Sequence, residues 1–236
     1  MNYLSHQYVA RQIRPDAAAP AQFFAGNLLP DLVAIAGDGR MRGIAPAATG
    51  ALADGVRQHI ETDNAFHSAA AFKALVADAG GRIAGAAWRI VPHRRFFIAH
   101  VLVELALDAY LLHTEPCIAD DLYATLRVAV AEGLVARAES LAERALPNLA
   151  PMLERFLATE YLRDYGTDAG LARAVRRVCA RANLPNFADP ADEETLAGVF
   201  AEFAAVLAPR AEELLRSGLA QTEQTAGLEQ TARVVQ

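Results

Sequence analysis

Two stripes of histidine and carboxylate carry most of the chemistry open to this chain. His59, Asp63 and His67 are spaced i, i+4 and i+8. On an α-helix each step of four advances about 40°, so the three side chains share one face. Stacked in this way, they make either a metal-binding or acid–base stripe or simply a solvated polar face. His100, Glu104 and Asp108 repeat the spacing inside residues 96–112, where nearly every other position is apolar. A helix apolar all round belongs in a core, and an unpaired buried carboxylate costs on the order of several kcal/mol. Two on one helix call for cations, a metal or protonation; hydrogen bonds from backbone ends or buried arginines are the other solution. A metal centre is the more economical expectation. Asn27 and Asp31 are again four apart, and His6 lies beside Tyr3 and Leu4. Taken singly, His6 reads as a hydrogen-bonded core histidine and Asp31 as a cap or surface acid. Both change meaning if the segments converge.

The elements that must position these groups are helical. Of the 236 residues 53% are hydrophobic, largely alanine and leucine, which favour helix almost throughout. Helices are expected over residues 1–13, 23–36, 46–79, 94–113, 118–144, 151–162, 168–183 and 190–216. Pro30 is read as a first-turn position or a kink, Gly37-Asp38-Gly39 as a turn, and Gly80-Gly81 as a helix end. Residues 1–216 are expected to form one domain, with 217–236 a polar, disordered tail. The net charge of −6 argues against general nucleic-acid binding. Cys117 and Cys179 lack metal-type spacing and are expected to pack as small apolar residues. Residues 1–6 lack a signal-peptide pattern, and no segment reads as a membrane span, residues 96–112 being interrupted by His100, Glu104 and Asp108. A cytoplasmic location is the resulting expectation.

The order of the motifs resembles the acyl carrier protein phosphodiesterase family, a distant branch of the HD-type metal phosphohydrolases. Met1-Asn2-Tyr3-Leu4-Ser5-His6 is similar to that family's N-terminal Met-Asn-Phe-Leu-Ala-His, and the Gly26–Asp31 stretch to its Gly-Asn-x-x-x-Asp segment. Gly55 through His59 and Asp63 looks like its Gly-Ile-x-x-His-x-x-x-Asp pattern. Glu104-Leu105-Ala106-Leu107-Asp108 resembles its Asp-x-x-x-Asp element, and the stretches Tyr161–Tyr165 and Gly170–Val175 resemble two later ones. Ala109 stands where the family carries histidine, Glu104 where it commonly has Asp, and no adjacent His-Asp pair occurs.

The resemblance implies an all-α, HD-like helical bundle that removes 4′-phosphopantetheine from holo-acyl carrier protein, with manganese as the metal. Mixed imidazole and carboxylate ligands are compatible with Mn, Mg, Fe or Zn, so the ligand types alone do not decide among them. Asp31, His59, Asp63 and Asp108 are assigned as metal ligands or their immediate supports. Glu104, His67, His100 and His6 are assigned as proton carriers or outer groups. Arg94 and Arg95, with Arg173, Arg176, Arg177 and Arg181, offer basic faces for an acidic carrier protein, or are merely solvated. A hydrolase of nucleotides or other small phosphoesters and a non-catalytic helical module are the alternatives.

Overall fold

Among the described residues every regular element is helical, as the alanine- and leucine-rich composition requires. The structure, a computed structural model, describes residues 1–15, 20–185, 187 and 189–219. In chain order the helices are α1 (Tyr3–Ile13), α2 (Ala21–Ala36), α3 (Ala51–Ser68), α4 (Ala70–Gly85) and α5 (Arg95–Thr114). They continue as α6 (Ile118–Ala131), α7 (Leu134–Ala142), α8 (Leu149–Thr159), α9 (Asp168–Arg181) and α10 (Pro190–Leu207). Short 3-10 turns occupy Tyr161–Gly166 and Ala208–Arg210, and residues 211–219 are helical.

Helix α5 is the axis of the fold. It contacts α1, α4, α6, α9, α10 and the Tyr161–Gly166 turn. Ile98, Leu102, Val103 and Leu107 are fully buried, each such side chain contributing roughly 1.5–3 kcal/mol. By length and mean hydropathy this helix meets the requirements of a membrane span, contrary to the sequence expectation. Much of its apolar surface is taken up by neighbouring helices, while Phe96 in its first turn stays exposed. One apolar cluster runs from Met1 to Leu215.

Several helix boundaries differ from expectation. The stretch 46–79 is two helices, broken at Ala69 (φ −61, ψ 139), where Ser68 Oγ bonds back to the carbonyls of Asn64 and Ala65. Helix α4 runs through Gly80-Gly81 to Gly85, because Ala79 and Ile83 are buried and tertiary packing outweighs the modest helical cost of glycine. The stretch 118–144 breaks at Gly133, whose φ of 83° suits glycine. Pro30 lies inside α2. Residues 217–219 are helical rather than tail; Gly218 packs near Met1, Val9 and Thr62. Residues 220–236 lie outside the described part. Cys179 is buried as expected, whereas Cys117 is exposed; neither forms a disulfide.

Helices α2 and α3 cross at a pair of glycines. A Cβ on Gly26 would collide with the Leu52 carbonyl. One on Gly55 would collide with the Phe23 carbonyl and lie 2.8 Å from Asn27 N. The two backbones therefore touch, and this contact brings His59 of α3 to Asn27 and Asp31 of α2.

Candidate metal centre

The first group consists of His6 from α1, Asp31 from α2 and His59 from α3, whose ligand-type atoms all lie within 4.8 Å of one another. His59 Nδ1 is 2.8 Å from the Asn27 carbonyl oxygen. A carbonyl only accepts, so Nδ1 carries the hydrogen and Nε2 is the ring nitrogen left to meet a ligand. That atom faces Asp31 Oδ1 at 4.0 Å. The His6 ring stacks on His59 with centroids 4.0 Å apart. His6 is fully buried, and neither of its ring nitrogens has a hydrogen-bond partner. Burial, then the nearby His59 and the Met1 ammonium, hold its pKa well below the ordinary histidine value. A neutral imidazole is the form that binds metal. Burial raises the pKa of Asp31. Asp63 Oδ1 lies 3.8 Å from His6 Nε2 and is the next carboxylate in reach.

A second group, His67, His100 and Glu104, is equally close-set. Its nitrogens, however, face carboxylates. His67 Nε2 lies 2.9 Å from Glu104 Oε1 and its Nδ1 lies 3.2 Å from Asp63 Oδ2. His100 Nε2 is 3.2 Å from Glu104 Oε1, and the two imidazoles stack at 4.8 Å. Burial opposes charge on His67, but the hydrogen bonds to Asp63 and Glu104 outweigh it and raise its pKa to about 9. At neutral pH His67 is thus an imidazolium donating from both nitrogens. Burial likewise opposes charge on Glu104; the Met1 ammonium and the two histidines reverse this and hold its pKa well below the ordinary value.

The α-amino group of Met1 lies between these acids, 2.6 Å from Asp63 Oδ1 and 3.2 Å from Glu104 Oε1. Burial would lower its pKa, yet Glu104 and Asp63 raise it to about 10. A cation is therefore held where Asp63 and Glu104 meet, and Asp31 also acts on it electrostatically. The two triads differ in one decisive way: the first leaves both His6 nitrogens unpaired, whereas in the second both His67 nitrogens and His100 Nε2 face carboxylates. The first fits a metal ion, and the second fits a proton store.

Asp108 stands apart from its expected ligand role. It is fully buried, and its oxygens accept from Leu4 N (3.0 Å), Ser5 N (2.8 Å) and Ser5 Oγ (2.6 Å). These are first-turn amides of α1, whose own N-cap Asn2 makes no side-chain capping bond. Asp108 thus caps α1 from α5, the backbone-end alternative rather than a metal, while its stripe partner Glu104 is met by cations. The roles of Ser5, Met1 and the Asn27 carbonyl went unread in the sequence; Ser5, directly before His6, belongs to neither periodic stripe. Ala109 lines a cleft with Tyr110, His113 and Leu171.

Arg94 and Arg95 are exposed, beside the exposed Ile90, Val91 and Phe96. Arg176 pairs with Glu193 at 2.9 Å, and Arg173 is half-buried. Arg177 does not join an outward basic face but lines a pocket with Asp31 and Glu104. Comparison of the chain with protein-family models, curated proteins and solved structures finds no match.

Proposed function

We propose that the chain is a metal-dependent, HD-like phosphodiester hydrolase that acts as an acyl carrier protein phosphodiesterase. The observation that carries the metal is His6. A fully buried, neutral imidazole with both nitrogens unpaired is costly, and a cation shared with His59 and Asp31 relieves that cost. The ordered motifs supply the substrate class, with manganese as the metal they imply.

When bound, a divalent cation supplies Lewis acidity, which makes water nucleophilic near neutral pH and polarises a phosphoryl oxygen. The chain's own residues supply the rest. His6, Asp31 and His59, with Asp63 in reach, would hold the ion. His67 enters the reaction already protonated, its ring fixed by Asp63 and Glu104. As the water oxygen bonds to phosphorus and the bond from phosphorus to the serine oxygen breaks, His67 gives its proton to the departing alkoxide; the proton shed by the attacking water passes to solvent, from which His67 is reprotonated. His100 stacks on that ring and shares Glu104.

The test is elemental analysis of purified protein followed by mass spectrometry of holo-carrier protein incubated with it. Bound manganese and loss of the pantetheine arm are the expected results. Metal without that loss would point to another phosphoester, and a chain that neither binds nor responds to any divalent metal would sink the hydrolase reading.

A further inference from the structure

Beside the candidate metal centre lies a pocket of about 180 Å³ with walls of opposite charge. Asp31 and Glu104 are in one wall, and Arg177 and Arg181 of α9 in the other. The two arginines are four residues apart and so share a helix face. Arg177 Nη2 is buried without a hydrogen-bond partner. Among the described residues no carboxylate lies within 4.0 Å of either guanidinium, although the adjacent Arg176 pairs with Glu193. The Arg177 guanidinium sits 5.5 Å from the Tyr161 ring centroid. Tyr3 Oη and Asn2 Nδ2, from residues that also line the pocket, are buried without a hydrogen bond of ordinary geometry, with Tyr161 and Tyr165 as neighbours.

We propose that Arg177 and Arg181 form an oxyanion subsite that holds a phosphoryl group next to the metal centre. A buried guanidinium N–H left unpaired is costly, so the position calls for an acceptor. Guanidinium presents a planar fork of donors that matches phosphate bidentately. The pocket is smaller than the roughly 300–1,000 Å³ of sites that enclose drug-sized ligands. It suits a compact anion and leaves the rest of a substrate outside. The opposed walls orient the group, with some oxygens toward α9 and others toward the cation-binding acids. This assignment rests on the phosphoester reading above and specifies which residues grip the phosphorus centre.

The probe is inorganic phosphate, titrated calorimetrically into the full chain, once saturated with manganese and once after chelation. Arg177→Gln and Arg181→Gln should each weaken phosphate binding by at least about tenfold, the scale of a lost charge-assisted hydrogen bond. Arg177→Lys, which keeps charge without the fork, should recover only part. Arg216→Gln should change nothing. Thermal unfolding checks each variant, and if Arg177→Gln does not fold, the exposed Arg181 decides. Equal phosphate affinity in wild type and both arginine variants would overturn the subsite, as would no phosphate binding in either condition. If manganese fails to bind while phosphate binding to the chelated chain still depends on the arginines, the subsite stands and the metal reading falls. Manganese bound with arginine-independent phosphate binding overturns the subsite alone.

Discussion

His6 and Asp108 are both fully buried polar side chains, yet their surroundings treat them in opposite ways. His6 has two unmade hydrogen bonds, and an unsatisfied buried polar atom costs about 1–3 kcal/mol. His6→Leu, close in size, should therefore leave the metal-free protein unchanged or more stable by up to about 2 kcal/mol. The same change should weaken manganese binding by more than about 100-fold, since even outer-shell changes cost 10–100-fold. Urea denaturation and metal titration read the two effects separately, and parallel losses would count against a ligand role. Asp108 has its donors in place, so Asp108→Asn should destabilise by about 2–4 kcal/mol, turning a donor toward the amides of Leu4 or Ser5. Burial raises the Asp108 carboxyl to about 7, against the pull of the Ser5 and Leu4 donors. With the folded value above the unfolded one, the folded state binds the extra proton. Its contribution is full below about pH 4 and is lost as pH rises through 7, a slope that Asp108→Asn should flatten in unfolding curves from pH 4 to 8. His67, also raised, stabilises most below about pH 6.5 and loses that contribution as pH rises through about 9. In the metal-free protein its ring protons should titrate near 9 by NMR, and Asp63→Asn should lower that midpoint. A midpoint at the ordinary histidine value in the intact chain would remove His67 as a preset proton donor.

At the scale of elements, the site depends on how closely α2 and α3 approach. Gly26 and Gly55 let the backbones touch, and that contact sets the 2.8 Å hydrogen bond from His59 to the Asn27 carbonyl. In Gly55→Ala the added Cβ meets main chain on α2, which cannot rotate away. The helices must separate, at a cost of about 1–3 kcal/mol or more. His59 then loses the partner that fixes its tautomer, so manganese affinity should fall although no ligand has changed. Calorimetric titration with a folded Gly55→Ala chain tests this; unchanged affinity would mean that the crossing does not position His59. The glycines and the histidine were visible in the sequence as parts of motifs, but their contact across helices was not. Periodicity revealed the two stripes because it is a property of one helix. It missed the break at Ala69, where neither proline nor glycine marks the turn. It also stopped α4 at Gly80-Gly81, where packing of Ala79 and Ile83 keeps the helix going.

At the scale of the molecule, convergence is what residue patterns alone could not supply. Asp108 and Leu4, 104 positions apart, share a hydrogen bond. One helix can place Glu104 and Asp108 on a common face, but only the surrounding helices decide that one meets cations and the other meets the end of α1. The all-helical class, the buried α5 and the residues of both triads were legible; the separation into a metal-fitting group and a proton-holding group was not. If the proposed function holds, one exposed face is suited to receive a large substrate. Phe96, His100 and Glu104 follow steps of four on α5, so the 76% exposed Phe96 lies one turn from the second triad. Ile90 and Val91 are 55% and 63% exposed, and Arg94 and Arg95 directly precede Phe96. An acidic carrier protein with an apolar contact would meet both kinds of group there. Charge on such a rim acts on encounter more than on chemistry. Arg94→Glu combined with Arg95→Glu should raise KM for holo-carrier protein by about tenfold or more, with kcat within about twofold. Added salt should raise wild-type KM and narrow that gap, because exposed charges are screened over about 10 Å at 0.1 M. Turnover of a small phosphodiester such as bis(4-nitrophenyl) phosphate should be unaffected by the double substitution. An equal loss with both substrates would place the two arginines in folding or catalysis and remove this face as the docking surface.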